Sequence, residues 1–401
     1  MGKAVGMAGP LSNLLVVDLS RVLAGPYATM VLADLGAQVI KVENPRGGDD
    51  SRRFGPFING HSAYFASINR GKRSIALDLK AAEDRRIFEA LLERADVLVD
   101  NYRPGVMARL GYGPDVLAAR FPHLIHAAVS GFGHTGPYSR KAAYDMVVQA
   151  MGGIMSVTGN PGEPAVRVGT SIGDITAGLF TVIGILAALH DRSITGPRNG
   201  GGQFVDVAML DGQVAILENA ITRFCASGQA PGPLGTRHPS IAPFASFRCA
   251  DAPIVIAAGN DALFADLADA IGLDAADPRF AGNEARCQHV DALTAAIEAR
   301  LQTKTAAEWL PIIEAAGVPC GPINDVAAMA ADPQVKARNM IIHTHLPDGT
   351  PVIAAGNPVK LSAHPDPEVR PPAPALDGDR DAILKALGLA PVTPRERNDG
   401  A

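Results

Sequence analysis

Along the first half of the chain, short apolar runs alternate with longer stretches in which apolar positions recur every three or four residues. Residues 14–19 (LLVVDL) stop at Ser20, and 26–35 follow with helical spacing. The strand-like pattern returns at 38–43 (QVIKVE), 73–78 (RSIALD), 95–100 (ADVLVD) and 124–130 (LIHAAVS), with a helical stretch over 81–94. Strands alternating with helices predict an α/β fold with a mostly parallel, Rossmann-like sheet covered on both faces. Ligands of such sheets lie beyond the carboxyl ends of the strands. Chemistry is therefore expected after Leu19, Val42, Leu77, Val99 and Val129. The longest apolar run, 175–189, is rich in Gly and Ala and shorter than the roughly 20 residues of a bilayer span, so it predicts a buried helix.

The texture changes from about Pro231. Residues 232–242 are rich in Gly and Pro and read as a linker or mobile loop. A compact α+β stretch follows, with a strand near 254–257 and helices near 262–270, 290–301 and 306–316. Beyond 333 the chain reads as extended, Pro-rich over 364–374, with a last helix over 378–387. The predicted division is a large α/β domain over 1–225, a small α+β domain over 226–335, and a return over 336–401 that completes the large domain.

Composition narrows the function. The 401 residues are 47% hydrophobic and 19% charged, which is globular. A net charge of −5 gives no bulk attraction to nucleic acid or to an anionic membrane, so any phosphate site must be a local cluster of Lys and Arg. Cys225, Cys249, Cys287 and Cys320 are scattered, without metal-ligand spacing, and suit a reducing compartment. Residues 1–13 lack a basic patch followed by an apolar segment, so the expected location is cytoplasmic.

Several segments could carry chemistry. Asp174 stands in GTSIGD, just before the apolar helix, where the helix dipole favours an ionised carboxylate; from the residues alone an ordinary N-cap is the default reading. Gly173 beside it permits close approach of another group. Residues 21–26 (RVLAGP) join the first strand to a helix whose free N–H groups could hold a phosphate or a carbonyl oxygen. Lys41, Arg46, Arg70, Lys72, Arg73, Lys80, Arg103 and Arg109 gather after the strands and could bind phosphate. Arg52, Arg53 and Arg103 could pin a carboxylate. Asp145, after Tyr144, reads as an N-cap, and His238 as a loop histidine. Residues 199–203 (NGGGQ) lack the Lys-Ser/Thr of a phosphate loop and read as a turn.

Taken together, these segments resemble the class III CoA-transferase family, the carnitine/bile-acid-inducible, formyl-CoA-transferase-like group. The likeness runs from Leu14 to about Leu389. It rests on VVDLSRVLAGPYATMVLADLGAQVIKVENP, NRGKRSIALDLK, ADVLVDNYRPGVMARLGYG, SGFGHTGPY, YDMVVQAMGGIMSVTG, GDITAGLFTVIGILAAL, GQFVDVAMLD, AGNDALF and AGVPCGPINDV, in that order. The resemblance implies a two-domain fold, an interlocked homodimer and Asp174 as nucleophile. It implies contacts to coenzyme A at Leu23, Ala24, Leu77, Lys80, Asn101, Tyr102, Arg103, Arg109, Lys141 and Tyr144. Coenzyme A is then a co-substrate, with no tightly bound cofactor and no metal. Oxalate-type members carry Gln where Leu23 stands and a tetraglycine loop that this sequence lacks, so the resemblance points away from oxalate and toward another small dicarboxylate, with succinyl-CoA as donor. The competing expectations are a 2-methylacyl-CoA racemase, against which Tyr144 stands in place of a His, and a coenzyme A-binding protein without activity.

Overall fold

The structure is a computed structural model that describes residues 9–195 and 201–390. The chain divides into two compact units, one of residues 1–154, 167–221 and 333–401, the other of 155–166 and 222–332. The short segment 155–166, which the sequence pattern leaves with the large domain, clusters with the second unit.

The first unit begins with β1 (Leu15–Asp18), α1 (Ala24–Asp34), β2 (Gln38–Glu43), the small hairpin β3 (Phe57–Ile58) and β4 (His61–Ser62), α2 (Ala63–Asn69) and β5 (Arg73–Ala76). It continues through α3 (Ala82–Leu92), β6 (Val97–Asp100), α4 (Val106–Arg109), α5 (Pro114–Arg120), β7 (Ile125–Ser130), α6 (Asp145–Met151), α7 (Ile172–Thr195), β8 (Phe204–Ala208) and α8 (Met209–Ala215). Then α9 (Ala220–Ser227) carries the chain into the second unit. Among the described residues six strands form one sheet in the order β5-β2-β1-β6-β7-β8, every neighbouring pair parallel.

Strand periodicity of two sorts the core. Val17, Ile40 and Leu98 point into one cluster with Phe88, Leu91 and Leu92 of α3. Val16, Val39, Val97 and Val99 point into another with Ala28 and Leu32 of α1 and Val182 and Ile185 of α7. Each such aliphatic or aromatic side chain contributes about 1.5–3 kcal/mol by leaving water. Because both faces are covered, the inner strands have no solvent side, whereas the edge strand β8 leaves Phe204 and Asp206 exposed. α7 starts earlier and ends later than the apolar run suggested, at 24 residues, and is long and apolar enough to cross a membrane by length and composition.

In the second unit β9 (Phe244–Arg248), β10 (Pro253–Ala257) and β11 (Cys320–Pro322) form an antiparallel sheet. The helices α10 (Asp261–Ile271), α11 (Asn283–Gln288), α12 (Val290–Leu301), α13 (Ala306–Ala315) and α14 (Val326–Ala331) accompany it. Phe247, Ile254, Leu267, Ile297 and Trp309 share its core. A reciprocal capping box between Thr305 and Glu308 starts α13.

The return is less extended than its prolines suggested. After α15 (Pro333–Ala337), β12 (Ile341–His345) and β13 (Pro351–Ala355) pair as an antiparallel hairpin, and α16 (Arg380–Leu387) closes the described chain. This segment also seals the sheet edge. Asp379 accepts the Ser74 N–H at 2.9 Å and Asp377 the Ala76 N–H at 2.7 Å, while Arg380 donates to the Ala76 carbonyl. The open side of β5 is thereby paired with side chains instead of another chain.

Candidate active site

The strand order reverses direction at β1: the chain runs outward through β2 to β5 on one side and through β6 to β8 on the other. The turns leaving β1 and β6 therefore diverge and open a crevice at the carboxyl edge. A cleft of about 230 Å³ lies there, lined by residues 21–24 after β1, 101–104 after β6, Asp50, residues 129–131, Ser139, Lys141, Ala143, Tyr144, Asp174 and Met209.

Of the side chains expected to meet coenzyme A, the cleft gathers Leu23, Ala24, Asn101, Tyr102, Arg103, Lys141 and Tyr144 around Asp174. Tyr144 is 76% exposed. The Lys141 ammonium lies 3.7 Å from the centre of the Tyr138 ring. Three expected residues do not line the cleft. The Leu77 side chain is buried in the core beside α3. Lys80 is exposed, its N–H held by Asp78. Arg109 is exposed at the end of α4.

Asp174 is the third residue of α7, within its first turn and not before it. The Ala24 N–H lies beside its carboxylate in the cleft and favours the anion. That contact needs α1 and α7 to approach closely, and Gly178 permits it: a Cβ there would lie 2.8 Å from the Ala24 carbonyl oxygen. Asp145 is the first residue of α6 and does not cap it. Its buried carboxylate caps α7 instead, accepting the Gly173 N–H at 2.8 Å and the Gln149 side-chain amide at 2.7 Å. Gly173 fits because a Cβ would meet Val148 at 2.7 Å and the Asp145 oxygen at 3.0 Å.

The electrostatics depart from the expectation of a dipole-ionised carboxylate. Burial, and then the charge of Asp145, push the Asp174 carboxyl up to about 7, against the opposing Ala24 N–H. Tyr64, which the sequence did not single out, is pushed up to about 12 by burial and by Asp174, Asp49 and Asp145. It belongs to α2 and packs with Leu23 and Ile175.

Much of the expected basic cluster is committed elsewhere. Lys41 is buried, 2.8 Å from Asp49; Lys72 is buried, 3.0 Å from Asp18; Arg70 pairs with Asp34 at 2.6 Å. None of the three can reach a phosphate in solvent. Arg52 grips Glu43 through two hydrogen bonds of 2.8 and 2.7 Å, which removes it from the carboxylate-binding set. Arg53 pairs with Asp50 at 2.6 Å, and Arg21 reaches the other Asp50 oxygen at 3.0 Å. Arg21 and Arg103 are thus the guanidinium groups that line the cleft.

His238 lies in the second unit, its Nδ1 accepting the Ser240 N–H. Of residues 199–203, the first two are outside the described residues, and Gly202 donates to the Pro122 carbonyl on entry to β8. Among the described residues no group of three or more His, Cys, Asp or Glu is arranged to hold a metal ion.

Comparison with known proteins identifies the family. Residues 11–380 match the model of CoA-transferase family III. The chain is 49% identical to an acetyl-CoA:oxalate CoA-transferase of Acetobacter aceti, over 94% of this chain and 95% of that one. It is 40% identical to a succinate–glutarate CoA-transferase of Agrobacterium fabrum, over 94% and 96%. The crystal structure of a CAIB/BAIF family protein from Brucella suis superposes with a TM-score of 0.83 at 40% identity, covering 94% of this chain and 99% of that one. The chain belongs to CoA-transferase family III, enzymes that use coenzyme A as a co-substrate.

Proposed function

We propose that this enzyme moves coenzyme A from succinyl-CoA or a similar short acyl-CoA to a small dicarboxylate, through covalent intermediates on Asp174. The carrying observation is a carboxylate that lines a cleft together with cationic side chains and with Ala24 of the first turn of α1, whose N–H favours its anion.

The steps follow from carboxylate chemistry. An Asp174 oxygen attacks the thioester carbonyl, and the tetrahedral oxyanion collapses with loss of the CoA thiolate, leaving an aspartyl mixed anhydride. The thiolate then attacks the aspartyl carbonyl, releases the donor acid and forms an aspartyl-CoA thioester. The acceptor carboxylate attacks that thioester, expels the thiolate and forms a second anhydride. Attack of the thiolate on the acceptor carbonyl gives the new acyl-CoA and frees Asp174. In this reading N–H groups in the first turn of α1 meet the oxyanion, as preorganised donors in a site shielded from water. Arg21 and Arg103 suit a second carboxylate on the substrate. Oxalate belongs within this class in spite of Leu23, since a relative 49% identical is named for it.

The active unit in this reading is an interlocked homodimer. A single chain leaves Met146 and Met151 of α6 and Leu179, Phe180 and Ile183 of α7 exposed, Ile183 by 59%. A second copy would cover such side chains. The four cysteines are unpaired, which suits the cytoplasm. Mixing enzyme with acyl-CoA and trapping with hydroxylamine should place one hydroxamate at Asp174, located by peptide mass. Label on another residue, or none, counts against the reading.

A further inference from the structure

The backbone between β1 and α1 is strained where it borders the cleft. Val22 has a φ of 68°. A β-branched residue avoids that left-handed region, and holding one there stores backbone strain. Such a conformation persists only where the surroundings over-determine it.

Two side chains do so here, from opposite neighbours of β1. Asn101, directly after β6, accepts the Arg21 N–H at 2.9 Å and donates its own amide to the Arg21 carbonyl at 2.6 Å. Asp49, buried after β2, accepts the Val22 N–H at 3.0 Å and the Ser51 N–H at 2.9 Å. Its other oxygen lies 2.8 Å from the Lys41 ammonium, which in turn donates to the Ser20 carbonyl at 2.7 Å. Against burial, Lys41 and these N–H groups hold the Asp49 carboxyl below the usual range, so it is an anion when it grips the turn. The glycines at 47 and 48, with φ of 97° and 70°, curl the chain back so that Asp49 reaches β1.

The turn that these contacts fix in place leads directly into the peptide that faces the nucleophile. Ala24 follows Val22 by two residues and lines the same cleft as Asp174, Leu23 packs with Ile175 next to it, and the Ala24 N–H favours the Asp174 anion. We propose that Asp49 and Asn101 are positioning residues for the transfer reaction: they grip the strained turn at Arg21 and Val22 from both sides and so keep the Ala24 N–H on the Asp174 carboxylate. This rests on Asp174 being the nucleophile. A donor held in place needs no reorganisation as charge moves, and a displacement of about 1 Å can cost on the order of 10²-fold in rate.

The test uses Asn101→Ala, Asp49→Asn and Asp49→Ala, each alone and combined with Val22→Gly, with single-turnover acylation trapped by hydroxylamine across pH. Asn101→Ala should acylate about 10²-fold more slowly. The acid limb of its rate should move to higher pH, because Asp174 loses a donor to its anion. Glycine occupies the left-handed region without strain, so Val22→Gly in the Asn101→Ala background should restore roughly tenfold of the rate. Asp49→Asn, which keeps an oxygen for the Val22 N–H, should lose less than Asp49→Ala. An acid limb that stays in place, or a slow acylation that Val22→Gly does not relieve, overturns the positioning role. Absence of any hydroxamate at Asp174 in the native enzyme overturns the nucleophile reading, and is seen before any variant is compared.

Discussion

Asp18 and Asp174 are both carboxylates withdrawn from water in the first unit, and the protein treats them in opposite ways. Burial works to raise Asp18, but Lys72 and Lys41, with the hydroxyls of Ser20 and Thr29, outweigh it and hold the group far below the usual carboxylate range. Burial also raises Asp174; there the charge that acts on it is another carboxylate, Asp145, opposed only by the Ala24 N–H, so the group stays near 7. Lys72 shows the cost of the first arrangement: burial brings it down to about 8 in spite of Asp18. Desolvation is common to both sites, and the partners decide the outcome. A fully paired carboxylate is fixed and inert. One left short of partners is easily perturbed and can exchange its contacts for bonds to a substrate.

The largest consequence falls on Asp174→Asn. The amide keeps the shape of the side chain and its acceptor for the Ala24 N–H but cannot form the anhydride. Transfer should drop by at least about 10³-fold, as is usual when a covalent step is removed. Stability should move the other way. A carboxyl raised in the folded state binds its proton more tightly there than in the unfolded chain, so between its ordinary value and about 7 the native state loses stability as pH rises. The variant escapes that loss. Its melting temperature should exceed that of the native enzyme at pH 8 and match it at pH 4. A fully active variant defeats the mechanism, and equal melting at pH 8 defeats the electrostatic contrast.

Asp18→Asn tests the paired side. It leaves Lys72 and Lys41 buried and short of their counter-charge, and breaking a buried pair in this way costs about 3–5 kcal/mol. Chemical denaturation at pH 7 would measure it. Because the native carboxyl is depressed, its contribution is present above the unfolded value and fades as pH falls through the folded one. The gap between native and variant should therefore be full at neutral pH and narrow only in strong acid. A gap that is the same at every pH would mean that packing, and not charge, accounts for the site.

The sheet was legible because a doubly covered parallel strand writes itself as an apolar run, and 14–19, 38–43 and 95–100 are such runs. Lys41 was misread although the signal was present. It sits in QVIKVE, inside a strand with no solvent face, where a Lys must be buried and paired. Lys72 and Arg70 carry no such mark, since their carboxylate partners, Asp18 and Asp34, lie more than thirty residues earlier in the chain. The hairpin of β12 and β13 was obscured by the prolines that follow it. Asp174 stood out only through the family resemblance, because an acidic residue at a helix start is ordinary. Asp145 as the cap of a different helix, Tyr64 beside the carboxylates and the left-handed Val22 depend on contacts between distant segments, and no local pattern announces them.

Asp145→Asn gives the smallest expected effect and separates the two causes acting on Asp174. The Asn oxygen can still accept the Gly173 N–H, so the start of α7 keeps its cap. The other end of the amide now faces the Gln149 side-chain amide, which donates to Asp145 in the native enzyme and donates nothing useful to an NH₂ group. Gln149 cannot simply turn over, because its oxygen accepts the Val168 N–H at 2.8 Å. One hydrogen bond is lost, worth on the order of 1 kcal/mol of stability. The electrostatic effect is of opposite benefit. With the neighbouring charge gone, burial alone opposes ionisation of Asp174, and its carboxyl should fall from about 7 toward the ordinary range. Acylation needs the ionised form, so the acid limb of kcat/KM should shift to lower pH. Near pH 6 the variant should lose less of its own maximal rate than the native enzyme does, while at pH 8, where both are ionised, the two should converge apart from any effect of the lost bond. If the limb stays where it was, burial alone sets the reactivity of Asp174, and Asp145 is there only to cap α7.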